Sequence, residues 1–286
     1  MLDLVMQAPD RFSSAAREAL EVELRALRPA VVRARSRLSE HSDPAAAVAL
    51  LDETARRGSD GVILKAPDTP QVAAAVDRLS AAGIPTVTFV TDVRSRHKVA
   101  YVGVDNRAAG ATAAYLITQW AGLTGGVLVT VSHSSFRGEE ERQIGFRETL
   151  AELAPARRLH EVTDTDGLDQ TMLVAVRGAL ALHPGIDAVY SVGGGNPATL
   201  TAFDELGITP TVFVAHDLDG DNRGLLRTRR ISAVLHHDLR ADMRHACRLL
   251  LQAGGVIPGR PGTLPSQVHV VTPYNEPAYL LRREDV

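Results

Sequence analysis

The chain has 286 residues, 45% of them hydrophobic, enough for one large or two medium globular domains with ample core. A net charge of −3 argues against nucleic-acid binding by this chain alone, and a single cysteine excludes an internal disulfide or a cysteine metal cluster. No run approaches the roughly 18 apolar residues of a membrane span, and the short stretch Leu4–Met6 behind Asp3 is no signal-peptide core. The expectation is therefore a cytoplasmic protein, or a secreted one already cut.

Strands and helices alternate from the start. Asp3–Gln7 reads as a strand ended by Ala8-Pro9-Asp10, and Ser13 or Ser14 caps a helix with Ala16, Leu20, Leu24 and Leu27 at helical spacing. Pro29 stops that helix, and Ala30–Arg35 is the next strand. Ser42-Asp43-Pro44 is a cap with proline at the first helical position, opening a helix that ends at Gly58. Gly61–Leu64 is a short buried strand, Thr69-Pro70 starts a helix closed by Gly83, and Ile84–Val90 is the fourth strand. After a basic loop, Val99–Val104 forms a strand that runs into Asp105-Asn106 and a helix from Arg107 to Trp120. Asp105 is placed either to cap that helix or to contact a ligand, because ligands sit at the carboxyl ends of parallel strands.

Gly122-Leu123-Thr124-Gly125-Gly126 reads as a joint, after which the alternation restarts. Strands are expected at Val127–Ser132, Leu159–Thr163, Ala188–Val192, Thr211–His216 and Ile231–His236, with a late one at Gln267–Thr272. Helices are expected near Glu139–Leu153, Gln170–Leu182, Pro197–Leu206, Asp219–Arg227 and Leu239–Leu251, the last placing Cys247 in a packing role. Interleaved strands and helices imply an α/β fold of two doubly wound parallel sheets.

Nearly every strand ends in residues able to bond a polar ligand: Gln7 with Asp10 and Phe12, Lys65 with Asp68, Thr91-Asp92, Asp105-Asn106, Ser132-His133, Gly195-Asn196, His216-Asp217 and His236-His237-Asp238. Parallel strands point these ends one way, and carboxylates, amides and an arginine match hydroxyls that both donate and accept. Asp, Asn and Ser are also common caps and turn formers, which explains any one of them but the whole set poorly.

Val-Gly-Val-Asp-Asn at residues 102–106 with Gly110, and Arg142-Gln143-Ile144-Gly145-Phe146, resemble motifs of the LacI/GalR family of sugar-responsive regulators. Asp60–Leu64, Gly83–Val87, Val214–Asp217 and the tail Val271–Pro277 fit the same family. The resemblance implies two lobes joined by three crossings, as in periplasmic sugar-binding proteins: residues 1–121 with 238–268, and 122–237 with 269–286. It implies a sugar, polyol or sugar acid in the cleft between them. Ligand contacts are implied at Asp105, Arg142 and Asp217, with Asn196 and His237 in positions where the family usually has other residues. Phe12, Asp10, Lys65 and Ser132 complete the candidate set. The resemblance further implies a homodimer that meets operator DNA through an N-terminal headpiece expected to be missing here, with no cofactor, no metal, no membrane and no catalysis.

A solute-binding protein of a sugar transport system is the alternative, since it uses the same cleft. Two enzyme readings are weaker. Gly193–Ala198 matches a relaxed dinucleotide pattern, but Pro197 removes a backbone N–H needed for pyrophosphate. His216, Asp217, His236, His237 and Asp238 are metal-competent, yet adjacent histidines on a strand point to opposite faces.

Overall fold

The computed structural model describes residues 1–27, 32–262 and 265–278. The chain forms two compact units: Met1–Asp105, Ser134–Glu140 and Asp238–Gln267 make the first, and Asn106–His133, Glu141–His237 and Val268–Val286 the second.

In the first unit, β1 (Leu2–Gln7), β2 (Ala34–Ser39), β3 (Gly61–Lys65), β4 (Thr86–Phe89) and β5 (Ala100–Val102) form a parallel sheet in the order β2-β1-β3-β4-β5. Alternation along β1 feeds two cores. Leu2, Leu4 and Met6 pack with Ala16 and Leu20 of α1 (Asp10–Ala26) and with Met243, Cys247 and Leu250 of α9 (Leu239–Ala253). Val5 instead packs with Leu51 of α2 (Pro44–Arg57) and with Val72 and Val76 of α3 (Pro70–Ala81). The caps of α2 and α3 are as expected: Asp43 accepts from the Ala45 N–H at 2.9 Å and Thr69 from the Val72 N–H at 3.3 Å, each before a proline.

Two early expectations need correction. Helix α1 begins at Asp10 behind Pro9, and Ser13 lies inside it, buried, donating to the Ala8 carbonyl at 3.1 Å. Strand β2 begins at Ala34, four residues beyond its expected start; Pro29 and residues 30–31 lie outside the described residues. Its run of Ala-Arg-Ser-Arg-Leu-Ser reads as too polar for a strand. The arginine fits because Arg35 donates to the buried Asp3 carboxylate of β1 at 2.9 and 2.8 Å.

In the second unit, β6 (Gly126–Thr130), β7 (Arg158–Val162), β8 (Ile186–Ser191), β9 (Val212–His216), β10 (Ala233–His236) and β11 (His269–Val271) order as β11-β10-β9-β8-β6-β7. All pairs are parallel except β10 with β11. Leu128, Val189, Phe213 and Val234 face one core with Met172 and Val176 of α6 (Asp169–Leu182), Phe203 of α7 (Asn196–Glu205) and Leu226 of α8 (Gly220–Arg227). Val127, Val129, Tyr190 and Val214 face the other, with Ala113, Ala114 and Ile117 of α4 (Asn106–Ala121) and Phe146 and Leu150 of α5 (Arg137–Leu153).

That second core relocates the expected joint. Helix α4 was expected in the first lobe, but its buried face fills the second unit, so the chain changes unit between Asp105 and Asn106. Residues 122–125 are a turn inside the second unit, leading into β6, where Arg157 donates to the Ala121 and Gly122 carbonyls at 2.6 and 2.8 Å. A glycine-rich string marks tight turning, and a turn between a helix and its own sheet needs that as much as a hinge does.

Candidate functional site

Both sheets reverse their winding direction beside the first strand of their unit: between β1 and β3, and between β6 and β8. Crevices for ligands form outside the carboxyl ends of strands at such switch points. In the first unit the Lys65 ammonium, at the end of β3, donates to the Gln7 carbonyl at the end of β1, 2.9 Å away. In the second, Arg142 Nη1 donates to the Val192 carbonyl just beyond β8, at 3.1 Å.

Arg142 reaches that point because of its helix. A Cβ on Gly110 would collide with the Arg142 carbonyl, and one on Gly145 with the Arg107 carbonyl, so α4 and α5 cross backbone to backbone. Phe146 is buried against Tyr190 with ring centroids 4.5 Å apart. The Arg-x-x-Gly-Phe motif is thus one device: glycine permits the crossing, phenylalanine locks it, and arginine three residues earlier is carried to the sheet edge. Arg142 is 4% exposed and also donates Nε to Asn106 Oδ1 at 2.7 Å.

The turn after β9 brings in the acid. Asp217 takes a left-handed φ of 63°, which costs a non-glycine residue about 1 kcal/mol or more. Asn222, buried in the first turn of α8, holds the turn by donating to the His216 and Asp217 carbonyls at 2.9 and 2.7 Å. Its own oxygen accepts from Asn196 Nδ2 at 2.7 Å, and its backbone N–H is capped by Asp219 at 2.8 Å. Asp217 Oδ1 lies 3.5 Å from His237 Nε2, beyond the end of β10. His216 faces the other way and shares a 2.8 Å hydrogen bond with Tyr190.

Burial pushes the Asp217 carboxyl upward, but facing His237 and Arg142 outweigh it and hold the group below the usual carboxylate range. Burial, then Arg142, pushes His216 well below its ordinary value against the opposing pull of Asp217, so His216 is neutral. The site therefore carries an ionised carboxylate beside a guanidinium. Two buried acceptors, Asn196 Oδ1 and Asp217 Oδ1, receive no hydrogen bond from the described residues.

In the first unit, Lys65 Nζ sits 3.9 Å from the Phe136 ring centroid and 5.9 Å from that of Phe12, within cation–π range. Phe136 comes from residues 134–140, tied to this unit by the Asp68 N–H on the Ser135 carbonyl (2.8 Å) and the Gly138 N–H on Thr91 Oγ1 (2.9 Å). Asp68 accepts from the Arg94 N–H at 2.8 Å and pairs with its guanidinium at 3.0 Å.

The predicted residues divide between the units. Arg142, Asn196, Asp217 and His237 gather in the second; Lys65 and Phe12 gather in the first. Asp10 is exposed in the first turn of α1 and accepts from Ser14, while Asp105 is exposed at the last position of the first unit. Arg142 donates to Asn106, the residue that follows Asp105. Ser132 is buried two residues past β6, its carbonyl accepting from Asp166 at 2.8 Å. Sequence reasoning missed Asn222 and Phe136. An asparagine three residues after the Asp219 cap and four before buried Leu226, hence on the inward face of the helix, was the available signal for the first. Nothing local distinguishes Phe136 from a core aromatic. Among the described residues, no group of three or more His, Cys, Asp or Glu side chains is placed to hold a metal ion, and no helix is long and apolar enough to cross a membrane.

A family profile described as a periplasmic binding protein domain matches residues 4–255. Among solved structures, the chain is similar to an ABC transporter solute-binding protein from Burkholderia graminis in complex with D-arabinose (TM-score 0.89, 20% identity, 97% of this chain and 96% of that one covered). It is similar to a glucose-galactose binding protein from Geobacillus stearothermophilus (TM-score 0.86, 17% identity, 96% and 98% covered). A third is an ABC transporter periplasmic solute-binding protein from Actinobacillus succinogenes with bound D-allose (TM-score 0.83, 16% identity, 96% and 98% covered). By sequence, no curated protein matches the chain. The structural likeness establishes a shared α/β fold; with the profile running from β1 through α9, the chain belongs to the periplasmic binding protein domain family.

Proposed function

We propose that this chain is a sugar-binding protein serving as the solute-binding component of a transport system. Its ligand is a small neutral polyhydroxylated molecule; the candidate contacts are Arg142, Asn196, Asp217 and His237 within the second unit and, taken by itself, the cluster of Lys65, Phe12 and Phe136 within the first. The observation that supports this most is Asn196 Oδ1, a buried acceptor that receives no hydrogen bond from the described residues, in the same cluster as the ionised Asp217 carboxylate, whose Oδ1 faces His237 Nε2 at 3.5 Å. Leaving a buried acceptor unmet costs about 1–3 kcal/mol; a ligand hydroxyl relieves it at Asn196 and gives the Asp217 carboxylate a better-placed donor. The same hydroxyls accept from Arg142, while the phenylalanines offer faces for the apolar side of a sugar ring. The Asp217 carboxylate disfavours a phosphate or sugar acid at that point, since like charges repel strongly where water is scarce. Asp105, Asp10 and Ser132 are retained as peripheral contacts.

The similar structures above hold D-arabinose and D-allose, and a further one holds α-D-tagatopyranose, so five- and six-carbon aldoses and ketoses are the first ligands to try. A thermal-shift screen of such sugars and polyols, each at millimolar concentration, tests the proposal. At least one is expected to raise the midpoint by several degrees, as ligand in excess of its dissociation constant stabilises the folded state. A flat response across the set, with sugar phosphates or nucleotides shifting the midpoint instead, argues against it.

The second reading is a LacI/GalR-type regulator, favoured by the order of motifs from Asp60 to the tail at Pro277. It predicts a cytoplasmic homodimer whose sugar response controls DNA binding by a headpiece. The transport reading predicts an exported monomer, so sedimentation of the sugar-loaded protein separates the two.

A further inference from the structure

Helix α8 carries Asn222 in its first turn and arginines at 223 and 227 on its remaining length. Asn222 is the residue that fixes the left-handed turn at Asp217 and engages Asn196. The two arginines converge on one carboxylate from a distant part of the chain. Glu276 accepts from Arg223 Nε, and from Arg227 Nε at 2.9 Å and Nη2 at 3.3 Å. Only 13% of the Glu276 side chain is exposed, against 45% for Arg227.

The tail is built to deliver that carboxylate. After β11, Asn275 Oδ1 accepts from the Thr272 N–H and hydroxyl at 2.6 and 2.8 Å, and Asn275 Nδ2 donates to the Val270 carbonyl at 3.0 Å. This closed turn leaves Glu276 against α8 and Tyr274 beside Arg229, whose guanidinium lies 5.9 Å from its ring centroid. An eight-residue helix is too short to be stable on its own. What holds its position holds Asn222, and Arg223 is the very next residue.

We infer that Glu276 is a positioning residue for the ligand cluster: by clamping Arg223 and Arg227 it fixes α8, and through Asn222 it sets the Asp217 turn and the Asn196 side chain. The inference rests on the reading of Asp217 and Asn196 as ligand contacts, and its first test does not require that reading to be right. In the unliganded protein, hydrogen exchange is compared between wild type and Glu276→Gln, which keeps the shape and removes the charge. Exchange is expected to rise about fivefold or more across residues 216–223 while β8 and β9 stay protected, the mark of local rather than global opening. Unchanged exchange there, or a uniform rise over the whole unit, overturns the inference.

Where the wild type binds a sugar, Glu276→Gln is expected to weaken binding about three- to tenfold. That loss disappears in an Asn222→Ala background, because the clamp then has nothing to transmit. Asp204→Asn, which breaks the exposed Arg230 ion pair near the same end of α8, leaves affinity unchanged. Equal affinity of wild type and Glu276→Gln, or additive losses with Asn222→Ala, contradicts the positioning role. A wild type that binds no sugar overturns the proposed function instead, and hydrogen exchange still decides for Glu276.

Discussion

Replacing Arg142 by methionine isolates the work of one guanidinium. The side chain is 4% exposed, donating to Asn106 Oδ1 at 2.7 Å and to the Val192 carbonyl at 3.1 Å. Methionine keeps most of the buried stem and volume, so the loss is polar rather than a cavity. Two buried acceptors lose a charged donor, at about 1–2 kcal/mol each, and the Asp217 carboxylate loses a neighbouring positive charge. The expected destabilisation is about 2–4 kcal/mol. At roughly 2–4 °C per kcal/mol for a unit of this size, the midpoint falls by about 5–15 °C. Scanning calorimetry reads that shift directly, and a urea titration gives the free energy. Sugar affinity falls as well, at least about tenfold, as a charged donor is worth on the order of 1.5–3 kcal/mol. A midpoint within 2 °C of wild type would refute the idea that Arg142 holds the α4–α5 crossing to the sheet edge.

Gly145→Ala forces a methyl into the Arg107 carbonyl, and the resulting overpacking should cost about 3 kcal/mol or prevent folding; near-wild-type stability by urea titration would remove the close-crossing argument. Stability should fall on acidification from pH 7 to 5. Buried His216 is neutral when folded but gains a proton when unfolded below about pH 6.5, and His160, shifted down by burial, then by stacked His183 and Arg158, acts in the same direction. The unfolded state then binds more protons, with a limiting slope of about 1.4 kcal/mol per pH unit for His216, and a flat profile in urea titrations contradicts this. Below about pH 4 the contributions of Asp217 and Glu276, both depressed when folded, are lost in turn. Burial, with Glu23 nearby, pushes the Cys247 thiol up to about 12, so a maleimide at pH 8 should label it only after urea is added; rapid native labelling would show that α9 opens.

The parallel architecture was legible because hydrophobic runs, proline-led caps and glycine stops recur at regular spacing: Asp43-Pro44 and Thr69-Pro70 open the helices they were expected to open. Strand β2 was misplaced because its arginine is satisfied by Asp3 on a neighbouring strand, a long-range pairing invisible to a local hydropathy reading. Helix α4 was given to the wrong unit for a similar reason. Its small-residue face carries no local mark of the sheet it packs on; the close approach of Gly110 to the Arg142 carbonyl and of Gly145 to the Arg107 carbonyl is long-range. Of the site, Arg142, Asp217, Asn196 and His237 came from strand-end placement and family resemblance. Asn222 and Glu276 did not, because each acts by bonding chain segments far from it in sequence.

The central claim is that Asp217 and Asn196 present buried acceptors to the hydroxyls of a neutral sugar. It is tested most directly by calorimetric titration of the sugar with the largest thermal shift into wild type and Asp217→Asn. The account predicts one site per chain in the wild type and at least a tenfold weaker affinity in the variant, an ionic acceptor being worth about 1.5–3 kcal/mol. Equal binding by both proteins, or no binding of any neutral sugar by the wild type, would contradict it.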